Sequence, residues 1–430
     1  GGRVRVRGPA PPGGVPAAGS GELSFRLELS RRIGERGVDM SWMPPHPDLS
    51  RSTVMETGPI LPDPYVFGRD EVKNKLIGLL LGTTTTTATA SSSSAVRPTS
   101  LSVVSLVGMG GLGKTTLSQW VYNSKPIQEH FHLRMWVWVS REFDLTRVTK
   151  QILQHLVDPQ SGVQKLDNLN VLQEILVERL KGKRFLLILD DVWEKDITIW
   201  RQFSAPLALG DTGSRVLLTT RDASVANAVR SVKIELDCLS SDDCWSIFEK
   251  HAFAGAQSHS SRQNLEPIGK EIVRKLKGVP LAATAIGGLL RFEPEESKWR
   301  DVLQNELWES EQVEQGIFPA LKLSYEYLPL HLKQCFAYCS LFHKGYNYDV
   351  LELVQQWMAH GYVPPPGRRP MEDVGRGFFN ELFNRSLIQL VNGRYVIHHL
   401  LHDLGQLILR EDFHQMGPGQ VHRIPEDAHS

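Results

Sequence analysis

Between residues 101 and 236, short apolar runs alternate with segments in which apolar residues recur at helical spacing. The apolar runs cover 101–107, 135–139, 185–189, 215–220 and 232–236. The run 185–189 is uninterrupted, which is typical of a strand that is buried on both faces. The intervening segments include Val148 to Leu156 and Val171 to Leu180, so the pattern predicts an α/β fold with a parallel sheet.

After Leu239 the strand pattern gives way to helical spacing. Apolar residues from Cys244 to Phe248 and from Ile268 to Leu276 predict helices, with Ser240, Ser241 and Asp242 as candidate caps. Farther along, the short β-prone runs 387–390 and 395–397 flank Asn392-Gly393. Asn-Gly between such runs is a strong hairpin signal, as the wing of a winged helix requires.

These patterns divide the chain into predicted segments. We expect a disordered or atypical extension at 1–57, a phosphate-loop α/β domain at 58–236, a small helical domain at 237–315, a winged-helix domain at 316–415 and a tail at 416–430. The run 83–94, which consists of Thr, Ala and Ser, predicts a low-complexity insertion within the α/β domain.

Composition narrows the classes of function. The 48 Lys and Arg residues balance the 48 Asp and Glu residues, so no broad attraction to nucleic acid or anionic lipid is expected. Four Cys are too few for a disulfide scaffold in 430 residues. No run of about 18 apolar residues occurs, which argues against a membrane span.

The strand at 101–107 runs directly into Gly108-Met109-Gly110-Gly111-Leu112-Gly113-Lys114-Thr115-Thr116. This is the GxxxxGK[ST] phosphate loop between a strand and a helix. Its glycines (Gly108, Gly110, Gly111 and Gly113) let backbone N–H groups turn toward a phosphate. Lys114 supplies a charge to the β and γ phosphates, and the Thr115 hydroxyl is a candidate Mg²⁺ ligand.

Two further strands end in candidate catalytic residues. The run 185–189 leads to Asp190, the expected Mg²⁺ carboxylate acting through water, and to Asp191, which would position or activate the attacking water. Asp191 could instead cap the following helix. The run 215–220 ends at Arg221, which either senses the γ-phosphate or forms an exposed salt bridge.

The ordered motifs resemble the NB-ARC region of plant nucleotide-binding, leucine-rich-repeat disease-resistance proteins, which are signal-transduction ATPases with numerous domains. The resemblance spans about residues 58 to 415. Besides the phosphate loop, it rests on the segments 66–70, 135–140, 187–193, 213–221, 239–253, 278–282, 335–342 and 397–399.

The resemblance implies a switch of plant innate immunity that binds ADP in its off state and ATP in its on state, with Mg²⁺ and slow hydrolysis. It implies that Pro280 and the segment from Val66 to Arg69 contact the adenine side, and that His398 reaches the β-phosphate of ADP. Thr116 of the phosphate loop is a further candidate nucleotide-binding residue. It also implies self-association of the ATP-bound form and a cytoplasmic or nucleo-cytoplasmic location. The signalling and effector partners are unknown.

The chain departs from the family at one position of this last motif. The family pattern is Met-His-Asp, whereas the chain has Ile397-His398-His399. A carboxylate that could orient the imidazole is replaced by a group that can carry a positive charge. The sequence therefore suggests that His399 weakens the ADP-locked state.

Three other interpretations follow from the sequence. A winged helix can read DNA, but its helices carry no basic stripe, so DNA binding is the weaker hypothesis. The first 57 residues contain no sustained heptad and about 27 residues follow Asp403 without a leucine repeat, so a truncated or decayed product is a second alternative. Cys335, Cys339 and His343 have a metal-like spacing without a fourth ligand, so we expect them to be core residues.

Overall fold

The computed structural model describes residues 57–83, 101–139, 143–158, 160–254, 259–309, 317–365, 369–391 and 393–415. The predicted disordered extension, residues 84–94 of the low-complexity insertion and the tail at 416–430 lie outside the described residues, apart from Thr57.

The chain folds into seven strands and sixteen α-helices within the described residues. The strands are β1 (Leu101–Val107), β2 (Leu133–Trp138), β3 (Phe185–Asp190), β4 (Ser214–Thr220), β5 (Val232–Glu235), β6 (Gln389–Val391) and β7 (Arg394–Val396). The helices up to the last sheet strand are α1 (Asp70–Leu81), α2 (Lys114–Tyr122), α3 (Lys125–His130), α4 (Leu145–Gln154), α5 (Leu169–Leu180), α6 (Ile197–Leu207) and α7 (Ala223–Ala228). The later helices are α8 (Ser241–Ala252), α9 (His259–Lys275), α10 (Pro280–Leu290), α11 (Glu296–Gln304), α12 (Phe318–Glu326), α13 (Leu330–Cys339), α14 (Val350–Ala359), α15 (Met371–Asn384) and α16 (His399–Gln415).

Strands β1 to β5 form one parallel sheet in the order β2-β3-β4-β1-β5. The two-residue period of a strand sorts its side chains between the two faces of the sheet. In β2, Met135 and Val137 pack on one face, whereas Trp136 packs on the other. The predicted parallel α/β sheet is thus confirmed, with helices covering both faces.

The two faces of the sheet belong to different hydrophobic cores. One core is confined to the nucleotide-domain helices α4 to α7. The other runs from the opposite face through α8 to α11 and on into α12 to α16. This continuous core joins the helical and winged-helix parts to the sheet, and it includes the fully buried Trp299 and Trp357.

The local signals for helix ends and turns act as the sequence suggests. Ser240 is the N-cap of α8, because its hydroxyl accepts a hydrogen bond from the backbone N–H of Asp243. Pro280 begins α10, where its missing N–H costs nothing. The strands β6 and β7 pair antiparallel around Gly393, which has a φ of 74°, and they form the predicted hairpin.

Cys335 and Cys339 are buried on α13, where burial raises the pKa of both thiols. They serve as core residues, as expected. In the described part of the chain, no helix is both long and apolar enough to cross a bilayer.

Candidate nucleotide-binding site

The phosphate loop joins β1 to α2 at the carboxyl edge of the sheet. Gly111 and Gly113 have φ values of 80° and 87°, which an L-residue with a side chain rarely adopts. Lys114, the first residue of α2, is buried, and its amino group donates to the carbonyls of Gly108 and Met109 at 2.7 and 2.8 Å. Burial, together with the charge of Arg221, lowers the pKa of Lys114 to about 8.

Asp190, at the end of β3, is fully buried and is surrounded by hydroxyl groups. Thr115 donates to both carboxylate oxygens at 3.0 Å, while Thr219 and Thr57 each donate to one oxygen at 2.6 and 2.8 Å. Burial raises the pKa of Asp190 despite these hydrogen bonds. Thr115 and Asp190, the expected Mg²⁺ ligands, are therefore adjacent, and their oxygens are the donor type that Mg²⁺ prefers.

Asp191 follows directly and lies in the left-handed region, with a φ of 58°. Its N–H donates to the Thr219 hydroxyl, and its carboxylate lies 3.3 Å from Nε of Arg221. Burial raises the pKa of Asp191, but the attraction of His399 and Arg221 outweighs it, so the pKa is below its ordinary value. Helix α6 has Asp196 as its N-cap, so Asp191 does not cap that helix.

Arg221 is the partner of Asp191, and neither side chain is more than 18% exposed. The guanidinium also lies over the Trp193 ring, 5.5 Å from its centroid. Arg221 thus forms the salt bridge of the second interpretation, but the pair is mostly buried at the end of two neighbouring strands rather than exposed.

The start of α16 brings the winged-helix part onto the phosphate loop. A Cβ placed on Gly110 would lie 2.9 Å from Cδ1 of Leu400, so the leucine covers the loop closely. The Nδ1 atom of His398 accepts the N–H of Leu400 at 3.2 Å, so the neutral ring carries its proton on Nε2. Burial and the neighbouring charges on His399 and Arg221 lower the pKa of His398 to about 3.

A cavity of about 590 Å³ opens beside the loop. Its walls include five of the predicted nucleotide-binding residues, namely Val66, Arg69, Gly113, Thr116 and Pro280. Arg69 is fixed there by donating to the carbonyl of Leu112 at 3.2 Å, and the N–H of Leu281 donates to the carbonyl of Gly111. The segment before α1 and the start of α10 thus both reach the phosphate loop.

The predicted site residues consequently fall into two adjoining groups. One lines the cavity, and the other surrounds the loop with Lys114, Thr115, Asp190, Asp191, Arg221 and His398. Sequence reasoning missed Thr57, Thr219 and Leu400. Only Thr219 had a signal, because it is a polar residue near the end of an apolar strand, next to the strand that ends in Asp190.

Comparison with known proteins identifies two domains of the chain. Residues 92–258 match the family model of the NB-ARC domain, and residues 341–405 match that of the disease resistance protein winged helix domain. This chain belongs to the NB-ARC disease-resistance family.

Several plant proteins resemble the NB-ARC chain over most of its length. It is 41% identical over 355 residues to disease resistance protein RGA2 of Solanum bulbocastanum, covering 81% of this chain and 35% of that protein. It is 34% identical over 349 residues to disease resistance protein RPM1 of Arabidopsis thaliana, covering 79% of this chain and 36% of that protein. The chain therefore spans about a third of the length of these relatives.

A solved structure of a signal transduction ATPase with numerous domains from Pyrococcus horikoshii, which has a tetratricopeptide repeat sensor, is 16% identical to the chain. The likeness covers 71% of this chain and 40% of that one, with a TM-score of 0.45.

Proposed function

We propose that this chain is the ADP/ATP-binding switch of a plant disease-resistance protein, off with ADP and on with ATP. One observation carries the proposal: the start of α16, from the winged-helix part, lies on the same phosphate loop as Lys114 and the strand-end carboxylates. A nucleotide in this position would touch both parts. Its identity would therefore affect how firmly they stay together.

The residues of the loop suit a nucleoside diphosphate or triphosphate. Lys114 would exchange its two carbonyl partners for phosphate oxygens, and the N-terminus of α2 favours negative charge at the same place. Thr115 and Asp190 would hold Mg²⁺, which would neutralise part of the negative charge of the phosphates. The adenosine would occupy the cavity between Val66 and Pro280.

Slow hydrolysis would reset the switch. Asp191 would position the attacking water, and Arg221 would turn from Asp191 to the γ-phosphate when ATP is bound. Because Arg221 is already paired in this structure, engaging the γ-phosphate carries the cost of breaking that pair, which favours a slow reaction.

The difference between the two nucleotides has to be large. Moving a two-state equilibrium from 1:99 to 99:1 takes about 5.5 kcal/mol of differential affinity. Contacts made in only one state supply that difference, and the candidates are His398 with the β-phosphate of ADP and Arg221 with the γ-phosphate of ATP. Opening would then expose surfaces for self-association.

The biological setting is inferred from the relatives, which are described as disease-resistance proteins. We place the switch in plant innate immunity and in the cytoplasm or the adjoining nucleus. The chain spans about a third of the length of those relatives. A role in receiving or transmitting a signal is therefore proposed only from what the relatives are called.

The nucleotide content of the purified protein tests the proposal. The full chain would be purified without added nucleotide, denatured, and its released nucleotide identified by chromatography. We expect near-stoichiometric ADP. A sample that is folded by circular dichroism yet releases no nucleotide, and binds none on addition, would contradict the proposal.

A further inference from the structure

A second histidine of the winged-helix part reaches the nucleotide domain. Nδ1 of His399, the first residue of α16, lies 3.8 Å from Oδ2 of Asp191, the residue that follows β3. Both side chains are less than 20% exposed. The imidazole also packs beside Trp138 at the end of β2, with ring centroids 5.8 Å apart. His399 is therefore in contact with the carboxyl ends of two neighbouring strands.

The charges around Asp191 determine whether this contact is attractive. Asp191 belongs to a group of ionisable residues that also contains Asp190, Lys114, Arg221, His398 and His399. The two oxygens of its carboxylate face different partners, Oδ1 toward Arg221 and Oδ2 toward His399. Because the pair is mostly shielded from water, its attraction is screened less than that of a surface ion pair.

The contact reverses the expectation drawn from the sequence. His399 stands where the family pattern has Asp, and the sequence suggests that losing this carboxylate loosens the closed form. In this chain, a carboxylate at position 399 would lie on the side of the carboxylate of Asp191, and neighbouring like charges repel. The geometry therefore indicates that His399 stabilises the closed form of this chain.

We propose that His399 is a positioning residue that ties the winged-helix part to Asp191. The inference rests on the proposed function, in which Asp191 positions the water for hydrolysis. In the closed form, His399 and Arg221 together engage the carboxylate; when α16 moves away, Oδ2 becomes free for water. The contact between His399 and Asp191 would then both retain ADP and suppress hydrolysis.

A double-mutant cycle tests the contact in the full chain. The variants are His399→Asn, Asp191→Asn and the double variant, and the readouts are the rate of ADP release and the urea midpoint without added nucleotide. We expect each single variant to release ADP about fivefold faster than the parent, which corresponds to about 1 kcal/mol. The double variant should release it no faster than the faster single variant.

Two further variants fix the sign of the effect. His399→Asp should release ADP about tenfold faster than the parent, because it places two carboxylates together, whereas His399→Arg places a cation beside the carboxylate and should release ADP no faster than the parent. His331→Asn, on α13 against Phe378, is the matched control and should not change release. If His399→Asp releases ADP at the parental rate or more slowly, the inference is wrong.

Single-turnover ATP hydrolysis separates positioning from a merely structural role. His399→Asn should raise the rate about threefold by freeing Asp191, whereas Asp191→Asn should lower it at least tenfold. Equal losses in both variants would indicate a structural role only and would overturn the inference.

If the parent binds no nucleotide, the double-mutant cycle measured by urea midpoints still tests the contact between His399 and Asp191. Non-additive midpoints would then support the contact while the switch proposal fails. Additive midpoints would overturn the contact itself.

Discussion

Lys114 is the residue on which the phosphate site depends, because it is a nearly buried charge held by two backbone carbonyls. A lysine amino group is compact, whereas a guanidinium is planar and wider. We expect Lys114→Arg to lower nucleotide content below a tenth of the parent, as measured by chromatography after denaturation. Lys125→Arg, at an exposed site on α3, is the control and should keep full content. Tight ADP binding by Lys114→Arg would argue against the assigned site.

His398 makes the stability of the protein depend on pH. Its pKa is about 3 in the folded chain, below the ordinary value of 6.5, chiefly because of burial. Between these values the unfolded chain binds the extra proton, so stability is full above pH 6.5 and falls as the pH decreases. One such group contributes at most about 1.4 kcal/mol per pH unit in this range.

The pH effect is measurable as the urea midpoint at pH 7.5, 6.5 and 5.5. We expect His398→Asn to flatten the loss of stability on acidification. An unchanged slope in that variant would show that other groups cause the acid sensitivity.

At the scale of elements, the sequence predicts well wherever a local pattern fixes the structure. The predicted strand segments become β1 to β5, and Gly393 lies in the turn between β6 and β7. The sequence of a strand does not specify its neighbours, so the order of the sheet could not be predicted; only β5, with Lys233 and Glu235, has the alternating polarity of an edge strand. Asp191 likewise shows no sign in the sequence of its left-handed backbone, which depends on the neighbouring Thr219 of β4.

Helix α15 offers two glycines two residues apart with opposite surroundings. A Cβ on Gly375 would lie 2.5 Å from Cγ1 of Val354, whereas a Cβ on Gly377 meets nothing within 4 Å. We expect Gly375→Ala to lower the free energy of unfolding by about 1–3 kcal/mol through overpacking. Gly377→Ala should raise it by about 0.5–1 kcal/mol, because alanine favours the helix. Urea unfolding followed by circular dichroism measures both, and a destabilised Gly377→Ala would contradict this account of the helix.

At the scale of the whole molecule, the site is assembled by contacts between residues far apart in the chain. Leu400 covers Gly110, His399 reaches Asp191, and Thr57 donates to Asp190. The motifs identified most residues of the site because each motif is local. These three contacts escaped prediction because they depend on how α16 and the segment before α1 pack against the sheet.

The same assembly predicts that ADP and ATP stabilise the molecule to different extents. A ligand at 100 times its Kd raises the free energy of unfolding by about 2.7 kcal/mol, so both nucleotides should raise the melting temperature of the full chain. If His398 contacts the β-phosphate only in the closed form, His398→Asn should reduce the shift with ADP while leaving the shift with a non-hydrolysable ATP analogue nearly unchanged. Lys114→Arg should abolish both shifts, since it removes binding altogether. Equal reductions for the two nucleotides in His398→Asn would mean that the winged-helix histidine does not distinguish the states, and control of the switch would then pass to Arg221.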